Sequence, residues 1–133
     1  MHRSRVYGVF IDVPTADADR SAAFWAEALG VPARPVAGEE QFTRLVDALP
    51  DLVTAVQAVD DAPRYHVDIE TDSVEAEVAR LLRLGAVEVS QWLDCHVLRA
   101  PGGHLLCVIP VHSEPGFFAS RSRAWPSVED SAR

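Results

Sequence analysis

Tyr65-His66-Val67-Asp68-Ile69-Glu70-Thr71, then Asp72-Ser73-Val74-Glu75 and a run through Leu84 to Gly85, is the stretch that decides the fold. Its first part alternates apolar and polar residues with period two, the pattern of a strand with one face covered. His66, Asp68 and Glu70 share one face of that strand, and Tyr65, Val67 and Ile69 the other. Asp72 with Glu75 three residues on has the spacing of a capping box and predicts a helix start. Val74, Val78, Leu81 and Leu82 then recur at helical spacing, and Gly85 supplies a left-handed stop. A strand feeding an amphipathic helix is the unit.

Upstream the same unit occurs between Tyr7 and Gly30. Tyr7, Val9, Ile11 and Val13 alternate with Gly8, Phe10 and Asp12. Pro14-Thr15 breaks the strand, and Thr15 is placed to cap a helix carrying Ala22, Trp25, Ala26 and Leu29 before Gly30. Matched positions lie roughly 55 to 58 residues apart, so one supersecondary unit occurs twice.

Each half continues in the same way. Weak strand character lies within residues 31–38, and strands are predicted near 41–48 and 52–59. Asp60-Asp61-Ala62-Pro63 is a polar break. After the strand at 65–71 and the helix at 73–84, strands are predicted near 86–91, 95–100 and 104–111, with Pro101-Gly102-Gly103 as a hairpin turn. The reading is one domain over residues 1–112, with modules 6–59 and 64–111, and a tail at 113–133. Phe117, Phe118 and Trp125 in that tail are expected to pack back on the domain, and the end from Ser127 to fray.

Bulk properties exclude several functions. A formal charge of −8 with scattered arginines argues against nucleic acid. No apolar run approaches the ~20 residues that cross a bilayer. The basic start Met1-His2-Arg3-Ser4-Arg5 runs into a strand, so a signal peptide is not expected and a cytoplasmic address is. All 12 basic residues are arginines, so no lysine is present to form a Schiff base, anchor pyridoxal phosphate or serve a P-loop. Cys95 and Cys107 are too few for a disulfide scaffold.

Asp12-Val13-Pro14 with Ser21-Ala22-Ala23-Phe24-Trp25 and Leu29-Gly30, then Tyr65-His66-Val67-Asp68 and Leu82-Arg83-Leu84-Gly85-Ala86, recur in order. With the closing stretch Leu98-Arg99-Ala100-Pro101-Gly102-Gly103-His104-Leu105-Leu106-Cys107-Val108, this resembles the vicinal oxygen chelate superfamily. That superfamily includes glyoxalase I, bleomycin-resistance proteins and extradiol dioxygenases. The chain is most similar to its small glyoxalase-like group of bacterial proteins. The resemblance covers roughly residues 6–111. It implies an α+β fold in which two tandem βαβββ modules form a curved mixed sheet around a cavity. It also implies a homodimer and a small-molecule ligand.

Metal-using relatives place ligands at positions corresponding to Gly8, Gln57, His66 and Cys107. Only His66 is the expected residue type; Gly8 cannot ligate, Gln57 is a weak neutral donor and Cys107 is a soft thiol. No cofactor is therefore expected; a divalent metal, if bound, would use His66, Cys107 and Gln57. Asp12, Asp68 or Glu70 could supplement it only by departing from that geometry.

His66 is the candidate catalytic residue, as a base whose charged form nearby carboxylates favour. His66, Asp68, Glu70, Phe10, Asp12, Gln57, Trp92 and Cys107 are the candidate ligand-binding residues. Cys95 and His96 are adjacent, so on a strand they point to opposite faces and form no dyad. His104 sits in the turn and Trp25 on the covering helix. The favoured function is a metal-independent binding protein with an enclosed pocket for a small, largely apolar ligand. Two alternatives are a lyase, isomerase or dioxygenase-type enzyme acting through His66 with an unusual metal, and an interaction module using the aromatic tail. As a pocket residue, His66 is expected to tolerate alanine with little change in melting temperature.

Overall fold

The structure, a computed structural model, describes residues 1–127; the expected fraying beyond that point lies outside the described residues. The chain forms two compact units, residues 8–66 and residues 1–7 with 67–127. Two strands, β1 (His2–Pro14) and β5 (Arg64–Thr71), contribute residues to both.

In the unit 8–66, β1 leads through a 3-10 turn (Thr15–Asp17) into helix α1 (Ala18–Leu29), then β2 (Ala33–Val36), β3 (Glu39–Leu45) and β4 (Val53–Val59). The strand order is β2-β3-β4-β1. β3 runs antiparallel to both neighbours, and β4 is parallel to β1 because α1 carries the chain across. Ile11 and Val13 bury against Ala22 of α1 with Leu45 and Val56, and Trp25 and Ala26 close the cluster. Alternation then directs Gly8, Phe10 and Asp12 to the opposite face of β1.

In the other unit, β5 leads into α2 (Val74–Arg83), followed by β6 (Val87–Trp92), β7 (Cys95–Arg99) and β8 (Leu105–Pro110). The order is β5-β8-β7-β6, with β8 parallel to β5 and the hairpins antiparallel. Val78, Leu98 and Val108 form the core under α2, flanked by Val74, Leu81 and Leu106. Each half thus runs strand, helix, three strands, with its first and fourth strands parallel. The fold class is α+β, as the resemblance implied.

Beyond β8 the chain forms α3 (Pro115–Arg121) and β9 (Arg123–Trp125), and β9 pairs antiparallel with the start of β1, His2 opposite Trp125. Phe118 is buried. Trp125 Nε1 donates to Ser4 Oγ at 2.8 Å, and the Arg80 guanidinium lies 3.9 Å from the centre of its ring.

Three local expectations change. β1 begins at His2, five residues before the apolar alternation starts, because His2 and Ser4 are buried polar groups with partners. The cap of α2 is Ser73, whose Oγ accepts from Ala76 N–H at 3.2 Å. Asp72 instead accepts from Arg3 N–H at 2.7 Å, so it ties β1 rather than opening the helix. At the first helix, Thr15 starts the 3-10 turn, and its hydroxyl donates to the Val59 carbonyl.

Candidate functional site

The unit 8–66 gathers the most chemistry on one face. Asp12 of β1 stands in register with Gln57 of β4, which stands in register with Phe42 of β3. Neighbouring residues of a sheet point to the same side, so these three form one row. Phe10, two residues before Asp12, shares their face. β5 then brings Arg64 and His66 to Asp12.

His66 Nδ1 lies 2.7 Å from Asp12 Oδ2, with the histidine 7% and the aspartate 1% exposed. Arg64 Nε donates to the same oxygen at 3.1 Å, and its Nη1 donates to Asp61 Oδ2 at 2.7 Å. The Phe10 ring stacks on the imidazole, centroids 5.0 Å apart and planes 8° apart, and meets Phe42 edge-on at 6.0 Å. An imidazole giving its Nδ1 proton to a carboxylate has its ring orientation fixed and its Nε2 set as the acceptor. Asp12 Oδ1 is buried with no hydrogen-bond partner among the described residues. Two donors therefore crowd one oxygen while the other has none.

Arg64 was missed in the sequence. It sits at the strand edge in a polar context, and only its reach to Asp12 gives it a role. Asp12 and Arg64 also border a groove of about 590 Å³ on the side of α1, whose lining includes Phe24, Trp25 and Tyr65 but not His66.

The remaining candidates belong to the other unit. Glu70 is fully buried and its oxygens accept from Arg5 Nη1, the Ser113 hydroxyl and the His112 and Ser113 N–H groups. Burial opposes its charge, yet the Ser113, His112 and Arg5 donors together hold its pKa below the ordinary carboxylate value. Its partners tie the start of the tail to β1. Trp92 ends the exposed strand β6 and is 70% exposed. Cys95 and Cys107 are half-buried and neither forms a disulfide among the described residues.

A divalent metal is what the resemblance brings, and the four corresponding positions do not fit it. At Gly8 an added Cβ would lie 2.4 Å from the Val53 carbonyl oxygen and 3.0 Å from the Phe10 ring, so no ligating side chain has room. Gln57 offers only a neutral amide. Alternation along β5 places Asp68 on the face of His66, and Asp68 stands in register with Cys107 of β8. Imidazole, carboxylate and thiol are residue types able to donate to a metal.

The glyoxalase-like domain model matches residues 8–109. The chain belongs to that family. No curated protein matches the sequence. Among solved structures, methylmalonyl-CoA epimerase from Mycobacterium tuberculosis superposes with a TM-score of 0.55 at 16% identity, covering 80% of this chain and 87% of that one. Streptomyces coelicolor methylmalonyl-CoA epimerase in complex with 2-nitronate-propionyl-CoA gives 0.50 at 15%, covering 82% and 98%. A xylose isomerase-like TIM barrel/4-hydroxyphenylpyruvate dioxygenase fusion protein gives 0.55 at 16%; the match covers 89% of this chain but only 21% of that protein. At these identities the likeness is one of fold. It places this glyoxalase-like domain beside an epimerase and a dioxygenase fusion without choosing between their chemistries.

Proposed function

We propose that this glyoxalase-like domain binds a small, largely apolar molecule against the face of Phe10, Phe42 and Gln57, with His66 as the polar recognition group. The observation that carries this reading is the buried pairing of His66 Nδ1 with Asp12 Oδ2 at 2.7 Å. A carboxylate that fixes an imidazole stacked on an aromatic ring is a device for presenting one nitrogen in one direction. The decisive experiment records histidine ring nitrogen shifts by NMR while benzyl alcohol, benzamide, benzoate and a propionyl thioester are added in turn. A saturable shift at His66, lost in His66→Gln, is the expected result. No shift with any probe overturns the reading.

The same pair supports a second reading, in which His66 moves a proton at a carbon beside a carbonyl. Two of the similar structures are epimerases, one in complex with 2-nitronate-propionyl-CoA. Deuterium uptake at the α-carbon of a propionyl thioester, abolished in His66→Gln, would establish it. Uptake at the uncatalysed rate would sink it.

No helix among the described residues is long and apolar enough to cross a membrane. Two cysteines that form no disulfide suit the cytoplasm, to which we assign the protein. β6 ends its strand order and all six of its residues are exposed, so we assign it as the edge at which two copies pair. A monomer by light scattering at working concentration defeats that assignment.

A further inference from the structure

We propose that Asp12 Oδ1 is the acceptor for the ligand, so that the site selects a molecule bearing a hydroxyl or N–H donor over one that ends in a carboxylate. This rests on the reading of the His66 face as the binding site and names the chemistry that face prefers.

A buried polar atom is almost always hydrogen-bonded, because desolvation without a partner costs about 1–3 kcal/mol. Asp12 Oδ1 breaks that rule while its twin oxygen receives both His66 Nδ1 and Arg64 Nε. The carboxylate cannot share them out by turning, since both donors reach it from β5 and hold Oδ2 in place. What satisfies Oδ1 is therefore a donor from outside the described residues. Gln57 stands beside Asp12 in register on β4, half-buried, and its carboxamide has no hydrogen-bond partner among the described residues. It can swing away and admit a donor without breaking any bond of its own. Phe10 and Phe42 flank the position and give the rest of the molecule an apolar wall. A carboxylate brought to Oδ1 would instead set two anionic oxygens against each other.

Benzyl alcohol and benzoate share an aromatic ring and differ in offering a donor or only acceptors. In the wild-type protein, benzyl alcohol should saturate the His66 shift about tenfold more tightly than benzoate, the worth of one hydrogen bond to a charged acceptor. Asp12→Asn should reverse the order. His66 and Arg64 pin the amide oxygen, which turns the new NH₂ donor into the place of Oδ1. The carboxyl carbon resonance of wild-type Asp12 should move with benzyl alcohol and stay with benzoate, a readout that needs no variant.

Equal or tighter binding of benzoate by the wild type overturns the inference while leaving the binding site in place. So does an unchanged order in a folded Asp12→Asn protein, or an Asp12 resonance blind to benzyl alcohol. If neither compound shifts His66, the site itself is wrong and the inference falls with it.

Discussion

His2 and Glu77 form a buried hydrogen-bonded pair across 75 positions of sequence: the imidazole Nε2 lies 2.8 Å from the Glu77 carboxylate, and both side chains are buried. Arg80, one turn further along α2, grips the same carboxylate with Nε and Nη2, each at 2.8 Å. Glu77 therefore joins the first strand of the chain to the second helix. Removing it leaves two donors facing a void. Glu77→Ala should lose about 3 kcal/mol, the usual cost of taking one partner from a buried pair. Urea unfolding measures this, and a double-mutant cycle with His2→Ala should show the two changes to be coupled.

Acid should unfold the protein through Glu70 and Glu77. Burial alone would raise both, but the donors of Ser113, His112 and Arg5 at Glu70, and of Arg80, His2 and Ser4 at Glu77, lower both below the ordinary value of 4.5. A carboxylate whose pKa is lower in the folded state gives its full stabilisation above its unfolded value and loses it as pH falls through the folded one. Stability attributable to these residues should hold above about pH 5 and fall steadily below about pH 4.5. In Glu70→Gln the slope of stability against pH in that window should shrink, as read from melting temperatures at stepped pH.

Gly8→Ala should be costly although alanine suits a strand no worse than glycine does. The new methyl would meet the Val53 carbonyl oxygen at 2.4 Å, so β1 or β4 must shift along a pairing that runs from Gly8 to Pro14. About 2 kcal/mol of lost stability is expected. A variant as stable as wild type would mean that the strand yields there freely.

His66→Ala should lower the melting temperature by several degrees, against the expectation for a residue that merely lines a pocket. The substitution removes the stack on Phe10 and leaves Asp12 buried with Arg64 as its single donor, a loss of about 2 kcal/mol. His66→Gln, which retains a donor, should recover part of it. Thermal unfolding followed by circular dichroism distinguishes the two.

The repeat was legible because it is written in periodicity. Val67 and Ile69 alternate, Val74, Val78 and Leu81 recur at helical spacing, and a folded chain needs those patterns to bury its apolar faces. His66 was legible as a candidate for the same reason, since alternation fixes its face. Its pairing with Asp12 was not, because two strands can each show their faces without declaring which residues come opposite. Polar burial was the least legible. His2 and Ser4 look like an exposed basic end until Glu77 and Trp125 meet them, and Glu70 looks like a pocket acid until Ser113 and Arg5 occupy it. Such residues carry no periodic signal, because their partners and not their neighbours in sequence make them buriable.

Of the three tryptophans, Trp92 is open to water and Trp25 of α1 packs partly buried against the core, whereas Trp125 lies under a guanidinium with its indole N–H held by Ser4. The last strand therefore carries its own optical reporter. With Trp25 and Trp92 changed to phenylalanine, the emission of the remaining indole would reveal whether β9 lets go of β1 before the rest of the chain melts.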